Sequence, residues 1–281
     1  MDLAKIKTLR EETGQGMLEV KKALHEANED LDKARDILNR LIKKDAPTQR
    51  VASKGLTNVF TEGDEAILFE VNAETDFVAK HKEFIKLMDD LAQVLIKSKA
   101  ITVKDALQVK LGDITVEEHI KKVGNLIKEN TFLRRFHRIK KQPSHHFVTY
   151  KHLGGKLSVL LIINQVNDTL GKDIALQIAS HAPKYMSYEQ IDRQTIDYEK
   201  MMLEQSGEKT DEISLKKYLE SVSLYNQSFI KNPDLKVKDV LNDVKVIDFY
   251  RFELGQGIEN KLNCRIDVPC DGSTITVTPI F

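Results

Sequence analysis

Residues Phe69–Lys80 constrain this chain more than any other stretch, because the period of its apolar residues changes there. The run Ala66–Val71 is largely apolar and β-prone. After Thr75, the residues Phe77, Phe84, Leu87, Met88, Leu91 and Leu95 recur near a 3.6-residue period. A strand therefore passes into a helix through a short polar turn, which sets the carboxylate of Asp76 beside the ring of Phe77. Two arrangements satisfy this pattern. In one, Thr75 or Asp76 caps the helix and Phe77 tucks into the core. In the other, the capped helix start is a rigid platform that displays the ring. An acid beside an exposed ring can act on a partner: the ring wedges into an apolar pocket while the charge disturbs a cation or hydrogen-bond network nearby.

The 281 residues suffice for two or three domains with a sizeable core. Lys plus Arg and Asp plus Glu both count 43, so the formal net charge is zero, against the basic excess of a general nucleic-acid or membrane-surface binder. Charged residues make up 31%, which suits a soluble, helix-rich protein with long exposed faces. Cys264 and Cys270 stand without a partner cluster, so neither a disulfide framework nor a zinc site is expected. The opening Met1-Asp2-Leu3-Ala4-Lys5 has no apolar signal core and no run approaches 18 apolar residues, which makes the cytoplasm the expected location and leaves no membrane partner.

Residues 1–43 read as three short amphipathic helices. Leu3, Ile6 and Leu9 line the first, which stops at Thr13-Gly14-Gln15-Gly16. Met17, Val20, Leu24 and Ala27 line the second; Leu31, Ala34, Ile37, Leu38, Leu41 and Ile42 line the third, with Asn28 or Asp30 as its cap. Such a mini-bundle is of the ubiquitin-associated type, and its small core calls for support from elsewhere. Residues 44–54 read as a linker. Residues 55–141 open with two strands around Glu62-Gly63-Asp64, then a long helix from about Phe77 to Lys97 and mixed helical segments to about Lys128. A second α/β block, 142–281, has Phe147–Tyr150, a turn at Gly154-Gly155, the strand Leu157–Ile163, a helix from about Lys172 to His181 and a strand Val244–Glu253. Within it, residues 187–222 are polar with helical spacing, which predicts a protruding helical hairpin. The tail, with Thr274–Thr278, reads as a β segment. The expected fold is α+β: a three-helix module, then two α/β subdomains with small antiparallel sheets.

No catalytic constellation emerges. Gly154-Gly155-Lys156 lacks the upstream glycine of a phosphate loop, and Gly14-Gln15-Gly16 lacks the rest of a dinucleotide fingerprint. His145, His146 and His152 are the best metal candidates, but no carboxylate or cysteine stands at ligand spacing. The run Arg134-Arg135-Phe136-His137-Arg138-Ile139-Lys140-Lys141 can track phosphates, which keeps an RNA- or ribosome-binding protein as the alternative function; a solvated strand edge or helix end explains it as well, and the zero net charge favours that reading.

Two blocks carry a resemblance. One is Leu9-Arg10-Glu11-Glu12-Thr13-Gly14-Gln15-Gly16-Met17 with Lys21-Lys22-Ala23-Leu24; the other is Phe69–Lys80 with Thr75-Asp76-Phe77-Val78. Both resemble the elongation factor Ts family, nucleotide-exchange factors for the GTPase elongation factor Tu. Further patches agree: Glu129-Asn130 before Arg134-Arg135, Tyr150-Lys151-His152 before Gly154-Gly155-Lys156, and Arg251–Glu259. Lys128 and Leu153 depart from the pattern, standing where such proteins usually have glycine, and the chain after Lys261 matches nothing in it. The resemblance implies a non-enzymatic exchange factor without cofactor, metal or direct nucleic-acid partner, acting on elongation factor Tu in its GDP-bound and nucleotide-free forms. It implies that the N-terminal module, with Lys21, docks on the G domain, that Thr75, Asp76, Phe77 and Val78 disturb the magnesium and phosphate site, and that His152 makes a second contact.

Overall fold

A computed structural model describes residues 3–13, 17–44 and 52–258. The helix stop at Gly14–Gly16, most of the expected linker, Cys264, Cys270 and the tail β segment lie outside the described residues, as do the side chains of Leu3, Leu41 and Ile42. The chain forms two compact units. One holds the described residues up to Ile139 together with Gly154–Lys156 and those from Glu253; the other holds Lys140–Leu153 and Leu157–Phe252. Small antiparallel sheets combine with helices throughout, an α+β architecture.

The first unit begins with helices α1 (Leu3–Thr13), α2 (Met17–Glu26) and α3 (Leu31–Lys44). Ile6, Leu9, Val20, Ala23, Leu24, Ala27, Ala34 and Leu38 are buried together, a small core of branched aliphatics and alanines. Asp30 starts α3, accepting from the backbone N–H groups of Asp32 (3.0 Å) and Lys33 (3.1 Å). Met17, expected in this core, is instead exposed, as is Leu18; Ala23 fills the inner position. α3 comes against a helix of the following sheet layer, α6 (below), which gives the small bundle a second face to lean on.

Strands β1 (Lys54–Glu62) and β2 (Glu65–Ala73) pair antiparallel from Lys54↔Ala73 to Glu62↔Glu65, across the two-residue turn Gly63-Asp64. Gly63 takes φ 57°, a conformation the tight hairpin needs and glycine adopts without strain. Then follow α4 (Lys82–Lys97), α5 (Val103–Gln108), the short hairpin β3 (Lys110–Leu111) and β4 (Ile114–Thr115), α6 (Val116–Ile127) and β5 (Phe132–Lys140). The sheet order β1-β2-β5 makes β2 central. Ile67, Phe69, Val71 and Ala73 face the apolar stripe of α4 (Phe84, Leu87, Met88, Leu91, Leu95) and α6 (Val116, Ile120, Val123).

β2 is buried on its other face too, and there stands Glu70, fully enclosed. Both its oxygens lie 3.1 Å from Arg134 Nη1, Arg135 Nε donates at 2.7 Å and the Gly255 N–H at 3.0 Å. The same arginines donate to the carbonyls of Gln256 (2.7 Å) and Glu253 (2.8 Å). Arg138 turns to the end of α4, donating to the carbonyls of Leu95, Ile96 (3.2 Å) and Ala100 (2.8 Å) and pairing with Glu65. These carbonyls lie at and just beyond the helix end, where Leu95 O also accepts from Ser98 N (3.1 Å) and Ser98 Oγ (2.8 Å), so guanidinium and serine complete the terminus together. The basic run thus points inward at three of its positions, with Phe136 and Ile139 buried beside them. The run lies on β5, an edge strand of its sheet as one reading expected, with Lys140 exposed, while its three arginines are engaged internally.

The second unit contains β6 (His146–His152), β7 (Leu157–Ile163), α7 (Asp168–His181), α8 (Arg193–Gln205), α9 (Glu212–Ser221), β8 (Ser228–Phe229), β9 (Asn232–Lys236), α10 (Val237–Val240) and β10 (Val246–Glu253). Its sheet order is β10-β7-β6, with α7 packed on β6 and β7. α7 starts earlier than its apolar spacing predicts, because Asn167 Oδ1 accepts from Leu170 N (3.1 Å). Between residues 187 and 222 Leu219 is the one apolar side chain in the core, Met201 and Ile213 are exposed, and a carboxylate helps hold the helices. Buried Glu199 of α8 accepts from Lys184 (3.0 Å), Tyr185 (2.7 Å) and Tyr218 of α9 (2.8 Å). Burial pushes its pKa up, but these hydrogen bonds outweigh that and hold it below the usual carboxylate range. The pair β8–β9 and α10 carried no readable period.

Lys128 (φ 60°) and Leu153 (φ 48°), the two positions where glycine was expected, both take left-handed backbone conformations. Leu153 is largely exposed and Lys128 sits at the end of α6, so neither gains packing that offsets the strain. Lys128→Gly and Leu153→Gly are each expected to raise stability by about 0.5–1 kcal/mol, read as a shift of the urea unfolding midpoint.

Candidate functional site

The turn leaving β2 is built by what its neighbours take away from it. Thr75 stands extended (φ −126°, ψ 157°), the conformation of a helix cap, yet its side chain makes no capping bond. Its N–H donates to Glu129 Oε2 (2.9 Å) and its hydroxyl donates to Glu129 Oε1. Without a cap, Asp76–Lys80 winds only as a short 3-10 turn. His81 interrupts it at ψ 126° and caps α4 itself, its Nδ1 accepting from Glu83 N at 3.3 Å. The long helix therefore starts at Lys82 and not at Phe77, and Thr75 and Asp76 do not cap it.

The consequence for the four motif residues is a division between anchor and display. Val78 is buried against the first unit's core, and its carbonyl accepts from His81 N (2.9 Å). Phe77 is 83% exposed, so the tucked arrangement does not occur. Asp76 points outward beside it, its Oδ1 3.7 Å from Lys156 Nζ. Lys156 is itself on a fixed backbone: Thr57 Oγ1 donates to the Gly155 carbonyl (2.8 Å) and Leu254 N to the Lys156 carbonyl (2.9 Å). Gly155 approaches so closely that a Cβ would stand 3.1 Å from the Thr57 carbonyl oxygen. The tip therefore carries an exposed ring, an exposed carboxylate and a nearby ammonium on a rigid base.

The other sequence candidates lie apart from this tip along the chain. Lys21 is exposed on α2, one helical turn from the exposed Met17 and Leu18. His152, in the second unit, is exposed at the end of β6; its Nδ1 lies 3.0 Å from the Tyr150 hydroxyl and its ring stacks on Tyr150 at 5.9 Å. Among the described residues no three His, Cys, Asp or Glu side chains converge to hold a metal, and His145, His146 and His152 form no such cluster. No helix among the described residues is long and apolar enough to cross a membrane. Glu129 and Lys156 carried no role in the sequence reading. Each stands far along the chain from the turn, and only the fold brings them to it.

The site so built is an exposed ring and carboxylate presented by a clamped turn. The family model for Elongation factor TS matches residues 74–256, a range that begins at that turn. Elongation factor Ts of Acholeplasma laidlawii (strain PG-8A) is 36% identical over 279 residues, covering 92% of this chain and 94% of that protein. The chain is a translation elongation factor by kinship: it belongs to the elongation factor Ts family.

Anchor and display separate in a stability measurement. Phe77→Ala is expected to change the unfolding free energy by less than about 0.5 kcal/mol, as for an exposed side chain. Val78→Ala removes two buried methyl groups and is expected to lower it by about 1.5 kcal/mol in the same urea titration.

Proposed function

We infer that this chain binds the GDP form of elongation factor Tu in the cytoplasm and speeds GDP release by pressing Asp76 and Phe77 against the magnesium and phosphate site. Exposure of the Phe77 ring on a rigid turn is the observation that carries this reading: an aromatic left in water has its burial free energy still available to a partner. Enclosing such a ring contributes roughly 2–3 kcal/mol. The carboxylate beside it is placed to compete for cationic groups and hydrogen-bond donors around the nucleotide. Magnesium bridges protein and phosphates in GTPases, so disturbing its surroundings removes a large share of nucleotide affinity. Factor and GDP then bind the partner in mutual opposition, with reciprocal coupling, and the factor needs no catalytic residue of its own.

The remaining residues divide the work of holding the partner. The helices of residues 1–43, a ubiquitin-associated-like module, dock on the G domain through the face that carries Met17, Leu18 and Lys21. The linker of 44–54 joins them to the two subdomains. His152, stacked on Tyr150, supplies a second contact, and the helical hairpin of α8 and α9 stands out from the second subdomain. The internal engagement of Arg134, Arg135 and Arg138 leaves the RNA-binding alternative without its main support.

Stopped-flow release of a fluorescent GDP analogue from elongation factor Tu tests the tip. Phe77→Ala is expected to cost about 2–4 kcal/mol of coupling, on the order of 30- to 1,000-fold in stimulated release, and Asp76→Ala is expected to slow it as well. Wild-type release in both variants refutes the wedge. Lys21→Glu tests docking: complex formation should weaken, while release at saturating factor stays near wild type. Unchanged association would remove α2 from the interface.

A further inference from the structure

We propose that Glu129 is a positioning residue for the exchange tip, setting the direction in which Asp76 and Phe77 leave the sheet. This rests on the reading of that turn as the exchange element. Glu129 grips Thr75, the residue immediately before Asp76, with both carboxylate oxygens: Oε2 takes the backbone N–H at 2.9 Å and Oε1 takes the hydroxyl. Two bonds from one carboxylate to one residue fix orientation as well as distance, as in other bidentate pairings.

The clamp serves no regular element. Thr75 caps nothing, α4 is capped by His81, and α6 is ended by Lys128 without help from the Glu129 side chain. What it fixes is the path of the chain between β2 and Val78. Val78 is buried on the far side of the pair, so Asp76 and Phe77 are bracketed by a polar anchor before them and an apolar anchor after them.

Glu129 is itself held by a closely packed surround. Lys128 turns left-handed at the end of α6, and Glu129 N then donates to the Gly124 carbonyl at 2.9 Å. A Cβ on Gly124 would stand 2.8 Å from the Glu129 carbonyl oxygen and 2.4 Å from Thr131 Oγ1, so only glycine lets this loop close so tightly. Thr131 Oγ1 in turn donates to the Ile120 carbonyl at 3.1 Å. α6 and its exit loop thus act as a bracket whose outermost group is the Glu129 carboxylate. A displayed ring that is held in its working direction avoids the ordering cost of docking, which is how a residue that touches no partner raises exchange.

The test measures stimulated GDP release from elongation factor Tu against factor concentration, so that maximal rate and half-saturating concentration separate. Glu129→Ala should lower the maximal rate about tenfold with little change in the half-saturating concentration. Combining it with Thr75→Ala should lower the rate no further. Thr75→Val, which keeps the shape and the N–H but loses the hydroxyl, should lower the rate about threefold, and Thr75→Ser should recover most of that. A wild-type maximal rate for Glu129→Ala while Phe77→Ala is slow overturns the inference and leaves the wedge standing. Losses that multiply in the double variant overturn it too. Wild-type release by Phe77→Ala removes the wedge and the inference together. If Glu129→Ala fails to unfold cooperatively, the Thr75 pair decides: equal rates for Thr75→Val and Thr75→Ser overturn the proposal.

Discussion

A single buried carboxylate organises the first unit. Glu70 has no exposed surface, and a lone ion there would be untenable. It is tolerated because two guanidinium groups and a backbone N–H converge on it, and their convergence is itself the architecture. The arginines sit in neighbouring positions of β5, so the ion pair fixes the register of β5 against β2. They reach on to the carbonyls of Glu253 and Gln256, so the same charge holds the closing segment of the first unit in place. Gly255 takes φ 74° there, and a Cβ would stand 2.9 Å from the Ser53 carbonyl oxygen. Covered in this way, β2 is rigid on both faces, and a turn that leaves it starts from a fixed point.

Net charge zero is therefore misleading as a guide to how this chain uses its charges. Many acids and bases do sit in water, where pairs contribute little. Among the described pairs, those with an enclosed carboxylate are Glu70 with Arg134 and Arg135 and Glu199 with Lys184, while Glu65, paired with Arg138, is partly exposed. The Glu70 and Glu65 pairs join segments distant in sequence. Of the apolar residues of α8 and α9 only Leu219 is fully buried, and the Glu199 cluster supplies a polar link between the two helices.

How much of this was legible follows from the range of each interaction. Periodicity is local, so the strands β1, β2, β6, β7 and β10 and the body of α4 could be read directly. The left-handed positions were legible in another way: Lys128 and Leu153 stood out as departures from glycine, and backbone geometry explains why glycine suits both. The basic run was legible as an edge strand, but the internal engagement of its arginines was not, because their partners, Glu70 and the carbonyls of Leu95–Ala100, have no signature in the run itself. Glu129 was missed for the same reason. Met17 was misplaced because a helix of ten residues offers too few repeats to fix which apolar residue faces inward.

The exposure of Phe77 turns on a phase relation. Phe77, Phe84 and Leu91 are spaced by sevens, so an uninterrupted α-helix from Thr75 would carry all three on the buried face. Phe84 and Leu91 are indeed enclosed. The break at His81 cancels the phase, the tighter 3-10 turn rotates Val78 inward in the ring's stead, and Phe77 swings to the surface. Glu129 holds both donors of Thr75, and the Thr75 side chain makes no capping bond to the turn that follows. On the role proposed for Glu129, the clamp aims the tip, while the break at His81 keeps α4 from carrying the ring onto its buried face.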